Sequence, residues 1–261
     1  MKTTVLLVAA AFVAVSSCAL AEQKAGDPLS VDLGGGVKLE LAWIRPGEFL
    51  MGSPETEPGR QKHEGPQHRV TISKGFWMGK HLVTQSQYEQ VTGSNPSHFK
   101  GPRLPVEMVT WNDCQQFVKK LNSLGKVPNA EFRLPTEAQW EYACRAGTTA
   151  AFYCGDSLAP GMANFKSKKT TEVGTFKPNA WGLYDMHGNL IQWCQDALYG
   201  YRKDAVTDPS GPATGHPIIR GGSWADDAVK CRSAFRWRDP VGTKKDKMGF
   251  RVVLIPQETA R

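Results

Sequence analysis

Cysteine has the widest chemical range of any residue type in this chain, and six occur, at positions 18, 114, 144, 154, 194 and 231. A thiolate can attack a substrate, close a disulfide or hold a soft metal, and each use needs a partner at a defined spacing. No C-x-x-C pair occurs and no Cys/His cluster has zinc-site spacing, so a structural zinc site is not expected. His63 and His68 lie five positions apart in a polar loop, not four apart on one helix face, and read as solvated histidines rather than a metal pair. Asp226-Asp227 reads as a turn before it reads as a paired-carboxylate site. Gly34-Gly35-Gly36 lacks the Lys-Ser/Thr of a phosphate loop, and no G-x-S-x-G nucleophile turn occurs.

Residues able to do chemistry must be held by elements, and the composition bounds these. The 261 residues include 26 Gly, 17 Pro and eight Trp spread along the whole length. This suits one globular core rich in large rings. The net charge is +7, but the basic residues are scattered. The densest group, Lys166, Lys168 and Lys169, falls in a short polar loop. No helix-turn-helix, zinc-finger or RNA-binding signature accompanies it, so nucleic acid is not an expected partner.

Residues 1–21 read as an export signal: Lys2, an uncharged apolar run, and Ala19-Leu20-Ala21 before Glu22. No transmembrane anchor is expected after processing. Val15-Ser16-Ser17-Cys18 offers an alternative, a lipobox that would make Cys18 a lipidated N-terminus. The expected location is therefore exported, periplasmic or secreted. Five cysteines then remain in an oxidising compartment, an odd number that leaves at least one without a partner within the chain.

Three segments carry helix-start chemistry. Thr84-Gln85-Ser86-Gln87, Thr110-Trp111-Asn112-Asp113 and Thr136-Glu137-Ala138-Gln139 each place a Thr hydroxyl three residues before a side chain that can reach back. Behind Thr110, Cys114, Phe117, Val118, Leu121 and Leu124 recur at helical spacing, and Gly93, Gly125 and Gly147 end the three runs. Val37–Leu41, Arg69–Ser73, Ile218-Ile219 and Phe250–Leu254 read as strands or strand ends. There is no βαβ alternation and no internal repeat. The expected fold is a single α+β domain over 37–257 with little regular secondary structure, preceded by an exposed N-terminal segment at 22–36.

Five longer stretches appear in order: Pro46–Ser53, Phe132–Ala143, Pro178–Asn189, Arg220-Gly221-Gly222-Ser223-Trp224 and Gly249-Phe250-Arg251. Together they resemble the formylglycine-generating enzyme family, also called the sulfatase-modifying factor family, over roughly 40–254. The resemblance implies a variant of the C-type lectin fold. It also implies, for the best-known members, oxidation of a sulfatase cysteine by copper held on two cysteines. That pair follows the Gly-Gly-Ser segment. Here the first position holds Asp226, and the second is either Cys231 or, with a gap in the loop, no cysteine at all. Thiolates suit Cu(I) and a carboxylate does not, so copper is not expected.

The resemblance further implies a calcium ion bound by Asp185, the carbonyls of Gly188 and Leu190, and Gln192, where the family usually has Glu. A second ion would use Asn164 and the carbonyl of Phe165. It implies a groove lined by Trp193, Ser223, Trp224 and Asp226, and a Cys194–Cys231 disulfide across it, with two buried free thiols as the alternative. Two functions fit. One is an exported binding or accessory/maturation module, acting on an exported protein, a peptide or a small molecule without making formylglycine. The other is an oxidase acting on a protein cysteine or a small exported substrate.

Overall fold

The computed structural model describes residues 23–257; the expected export signal and the Cys18 alternative lie outside the described residues. The first hairpin joins β1 (Pro28–Gly34) to β2 (Val37–Ile44), with Val31 opposite Leu39 and Leu29 opposite Leu41. Gly34, Gly35 and Gly36 make the turn with φ of +94°, +60° and +79°, a region that glycine enters without the steric cost of a side chain. The exposed segment expected at 22–36 is thus corrected. Alternation of Leu29, Val31 and Leu33 puts their side chains on one face, and Val31 and Leu33 are each only 4% exposed.

β2 pairs with β5 (Phe76–Gly79), β5 with β12 (Val253–Pro256), and β12 with β6 (Ala130–Arg133), all antiparallel. The resulting five-stranded sheet, ordered β1-β2-β5-β12-β6, is covered on both faces. Leu39, Leu41 and Trp43 share a core with Tyr88, Phe117 and Leu121 of α1 (Gln85–Thr92) and α2 (Trp111–Ser123). The intervening Ala42 and Ile44 share another with Ala138, Trp140 and Tyr142 of α3 (Glu137–Arg145). Period-two side chains on a strand allow this division. Tyr88 stacks on Phe117 at 5.4 Å, and Phe250 meets Phe117 edge-on at 5.2 Å.

All three helices start as expected. The Thr84, Thr110 and Thr136 hydroxyls accept from the backbone N–H groups of Gln87, Asp113 and Gln139, whose side chains accept in return from the threonine N–H groups. Leu124 departs from the expected stripe: it caps α2 and is exposed.

Two smaller sheets complete the domain. One has the order β10-β9-β7-β11, from β10 (Arg236–Arg238), β9 (Pro217–Arg220), β7 (Ile191–Ala197) and β11 (Met248–Gly249). The other has the order β3-β4-β8, from β3 (Gly47–Met51), β4 (His68–Ile72) and β8 (Val206–Thr207). Of the strand expected at Phe250–Leu254, only Val253 and Leu254 pair, in β12; residues 250–252 link β11 to β12 outside either sheet. Within that link Arg251 is fully buried and donates to the carbonyls of Gly79 and Tyr184 and to Gln192, so the chain turns there from one sheet into the other.

Between α3 and β7, residues 146–190 contain turns and isolated bridges only. Buried polar side chains hold this stretch, and Asn179 is the clearest case. Its amide donates to the carbonyls of Ala143 and Cys144, and its oxygen accepts from the N–H groups of Trp181 and Leu183. The α+β character, with little regular structure, is as the sequence predicts. No described helix is long and apolar enough to cross a membrane.

Candidate functional site

The Gly221-Gly222-Ser223-Trp224 segment leaves β9 through two left-handed glycines, with φ of +93° and +66°. A Cβ at Gly222 would lie 2.5 Å from the Cys231 sulfur, and one at Gly221 would crowd Trp140 and Gln192. Close packing as well as backbone sign therefore demands glycine here. The turn that follows is tied by Ser223, whose hydroxyl donates to Asp226 Oδ2 at 2.5 Å, while Asp226 N–H donates to the Ser223 carbonyl. This aims the Asp226 carboxylate into a cleft of about 420 Å³.

Two lysines reach that carboxylate. Lys230 Nζ is 3.3 Å and Lys247 Nζ 3.8 Å from Asp226 Oδ1, and across the cleft Lys245 Nζ is 3.0 Å from Asp239. Ile191, Ile219 and Met248 add apolar wall, and Trp237 stands at the rim, 51% exposed. Its ring lies 5.7 Å from that of His63.

A buried ionic network holds these walls. From α3, Glu137 takes Arg236 in a bidentate pair at 2.6 and 2.7 Å, and Glu141 takes Arg145 and Arg220. Gly52 N–H also donates to Glu141, at 2.9 Å. Arg232 bridges Glu57 and Glu64, at 2.5 and 2.7 Å. Burial alone would push the Glu141 carboxyl up, but Arg145 and Arg220 outweigh it and hold it below the usual carboxylate range. The spacing of Glu137 and Glu141, one helical turn apart inside the Phe132–Ala143 motif, was the available sequence signal for this network.

Of the four expected groove residues, only Asp226 lines the cleft. Trp193 is fully buried, donating from Nε1 to the Val109 carbonyl at 3.2 Å. Ser223 is buried beneath Asp226, and Trp224 packs edge-on to Phe99 at 5.8 Å. The inward face of β7 takes Trp193 into the core and the tight turn buries Ser223, while Trp224 stays half-buried. Lys230, Lys245, Lys247 and Trp237 do line the cleft, and the sequence carried no motif that marked them.

The expected Cys194–Cys231 disulfide is also corrected. All five cysteines among the described residues are free. Cys194 packs with Ile44, Trp140 and Ile218, whereas Cys231 belongs to a separate cluster with Phe152 and Leu158. Burial, with Asp226 and Asp227 nearby, pushes the Cys231 thiol up to about 12, and burial pushes Cys194 well above its usual value.

The residues expected to bind calcium converge, but Gln192 is already committed to protein partners. Gln192 Oε1 already accepts from Trp140 Nε1 at 2.8 Å and from cationic Arg251 Nε at 2.7 Å, and its Nε2 donates to the Asp185 carbonyl at 2.9 Å. Asp185 itself is buried and accepts from Gly174 N–H, and burial raises its pKa. At the second position, the Asn164 carbonyl accepts from Asn189 N–H, and Phe165 packs beside Cys231. Hard oxygen ligation requires a free oxygen, and Gln192 as arranged does not offer one. Among the described residues, no three His, Cys, Asp or Glu side chains gather into a metal-ligand group.

The loop with Lys166, Lys168 and Lys169 is exposed and stitched to the cleft turn, with Lys166 N–H donating to the Asp226 carbonyl and Ser167 N–H to that of Trp224. Lys166 is held at φ +48°, which costs a side chain about 1–2 kcal/mol. Its ion pair with Asp227 is 64% exposed on both sides and contributes little. Lys166→Gly should raise stability by about 0.5–1 kcal/mol after the added freedom of the unfolded chain is counted. Thermal denaturation checks this; a lowered midpoint would show that the loop depends on the lysine side chain.

Comparison with known proteins gives the cleft its context. The chain is 34% identical over 245 residues to serine/threonine-protein kinase pkn1 of Chlamydia pneumoniae, covering 81% of this chain but only 37% of the kinase. It is 33% identical over 301 residues to the formylglycine-generating enzyme of Mycobacterium tuberculosis, covering 83% of this chain and 98% of that enzyme. Treponema denticola variable protein 1 superposes with a TM-score of 0.77 at 28% identity, over 88% of this chain and 99% of that one. The model of the sulfatase-modifying factor enzyme 1-like domain matches residues 38–255, and the chain belongs to that family.

Proposed function

We propose that this chain is an exported binding or accessory module, one that holds a protein or peptide segment in the cleft and does not oxidise cysteine to formylglycine. The carrying observation is the state of the two positions where the family resemblance expects copper-binding thiolates. One is Asp226, engaged by Ser223, Lys230 and Lys247. The other, Cys231, is fully buried with its thiol raised to about 12. A protonated thiol inside the core is a poor nucleophile, and a soft metal would have to reach it and displace its proton. The residues that do line the cleft are ammonium, carboxylate, apolar and indole groups, which suit recognition more than bond-making.

The test is incubation of the mature protein with Cu(I), oxygen and a peptide carrying the Cys-x-Pro-x-Arg sulfatase motif, read by mass spectrometry for the aldehyde. No product above a copper-only control is expected. Turnover above that control would restore the oxidase reading.

A further inference from the structure

We infer that the cleft takes an acidic peptide segment, one carrying a carboxylate side chain next to a large apolar residue. This rests on the binding-module reading and names its ligand class. The lining contains three ammonium groups, Lys230, Lys245 and Lys247, against two carboxylates, Asp226 and Asp239. Arg220 also reaches the cleft wall, where it is fully buried and paired with Glu141, a carboxylate it shares with Arg145. One cation is therefore in excess inside a concave, partly apolar enclosure, where field lines concentrate.

The geometry sharpens this. Asp226 is 5% exposed and both of its oxygens are engaged, Oδ2 by the Ser223 hydroxyl and Oδ1 by Lys230 at 3.3 Å. Lys247 approaches the same Oδ1 at 3.8 Å. A single fixed carboxylate thus draws two ammonium groups to one side of the cleft. Each ammonium has three N–H donors and no acceptor, so donors remain for a second, incoming carboxylate. The lysine side chains keep access to solvent, at 52% for Lys230 and 32% for Lys247. An arriving anion meets them without a desolvation cost for fully buried charge.

Trp237 supplies the apolar half of the recognition. Its ring is exposed beside Ile219 and Phe235 of the lining, a flat surface on which an aliphatic or aromatic side chain can pack. A segment with a basic residue meets the opposite balance: its cation faces three ammonium groups, and Asp226 and Asp239 are already paired.

The experiment is fluorescence anisotropy with two labelled hexapeptides on the intact mature protein, one containing Asp, Glu and a single Leu, the other with each acid replaced by Lys. The acidic peptide should bind at least tenfold more tightly, and its affinity should fall as salt rises, as screened charge requires. Lys247→Glu, at a half-buried position whose side chain is 32% exposed, should weaken acidic-peptide binding by about tenfold or more while leaving the melting curve near wild type. Trp237→Ala should weaken it at unchanged salt dependence. Preference for the basic peptide, with Lys247→Glu tightening it, would overturn the acidic assignment and leave a binding module standing. Absence of binding by either peptide would also overturn it. The aldehyde assay tests the loss of oxidase chemistry independently of all three outcomes.

Discussion

Glu141→Ala should destabilise the folded chain by about 3–5 kcal/mol, the cost of leaving buried charge without its partner. Glu141 is fully buried and holds three groups together: Gly52 N–H beyond β3, Arg145 one turn along α3, and Arg220 at the end of β9. Alanine leaves both guanidinium groups in a dry interior. Arg220 keeps the Ser233, Ala234 and Phe235 carbonyls, but its one remaining carboxylate is Glu137 at 3.7 Å, which Arg236 already occupies. For a domain of this size the loss corresponds to a fall in melting temperature of about 10 °C, measurable by circular dichroism. A change below about 1 kcal/mol would mean that water enters and solvates the network, so that it does not behave as buried charge.

The pH dependence of the same group has a definite sign. The Glu141 pKa is depressed in the folded state, so its contribution is fully present above the ordinary carboxylate value and is lost as pH falls through the folded one. The acid limb of the stability curve should therefore be shallower in Glu141→Ala. Removing Glu141 takes no cation from the cleft, so acidic-peptide binding in this variant should weaken only as far as the folded fraction falls. In Lys247→Glu, by contrast, the two should separate.

Glu107 should produce the opposite dependence. It is fully buried, and its Oε1 accepts from Phe99 N–H at 2.8 Å while Oε2 has no partner. Burial raises its pKa to about 7, against the lowering effect of the Phe99 and His98 N–H groups and of the His98 charge, with Asp246 adding to the rise. A carboxyl with a raised folded pKa binds more protons folded than unfolded, so stability falls as pH climbs from about 4.5 through about 7. The full effect is up to about 3 kcal/mol, from 1.36 kcal/mol per unit.

Glu107→Gln keeps an acceptor for Phe99 and removes the titration. The melting temperature of the variant relative to wild type should thus rise by several degrees between pH 5 and 8. His81 and His187 act in the other direction. Burial lowers them to about 4 and about 3, so each contributes stability that is lost as pH falls below the ordinary histidine value. They are common to both proteins and cancel in the difference. Parallel curves for the two proteins would show that Glu107 titrates normally.

How much could be read in advance depended on the range of the interactions involved. The three helix starts were legible because a capping box is closed within four residues, and the structure has each reciprocal bond. β1 was missed although Leu29, Val31 and Leu33 alternate, because the glycine triplet after them suggested an open segment when it is in fact the hairpin turn. Arg251 was quoted as part of a motif without a role. Only the folded chain brings Gly79, Tyr184 and Gln192 around its guanidinium.

The sequence by itself determined the family, through five stretches in order along the chain, and the three helix starts, through residue identities at short spacing. Tertiary structure alone decided where the cysteines and the polar side chains around them fall. Cys194 and Cys231 fall into different core clusters because they lie on elements packed against different neighbours. Gln192, a plausible ligand in one dimension, is claimed by Trp140 and Arg251 in three. The cleft is assembled from Asp226, Lys230, Trp237, Lys245 and Lys247, which no short motif joins. Their juxtaposition depends on β9, β10 and β11 entering one sheet, and strand order is set by long-range pairing that local residue patterns do not encode.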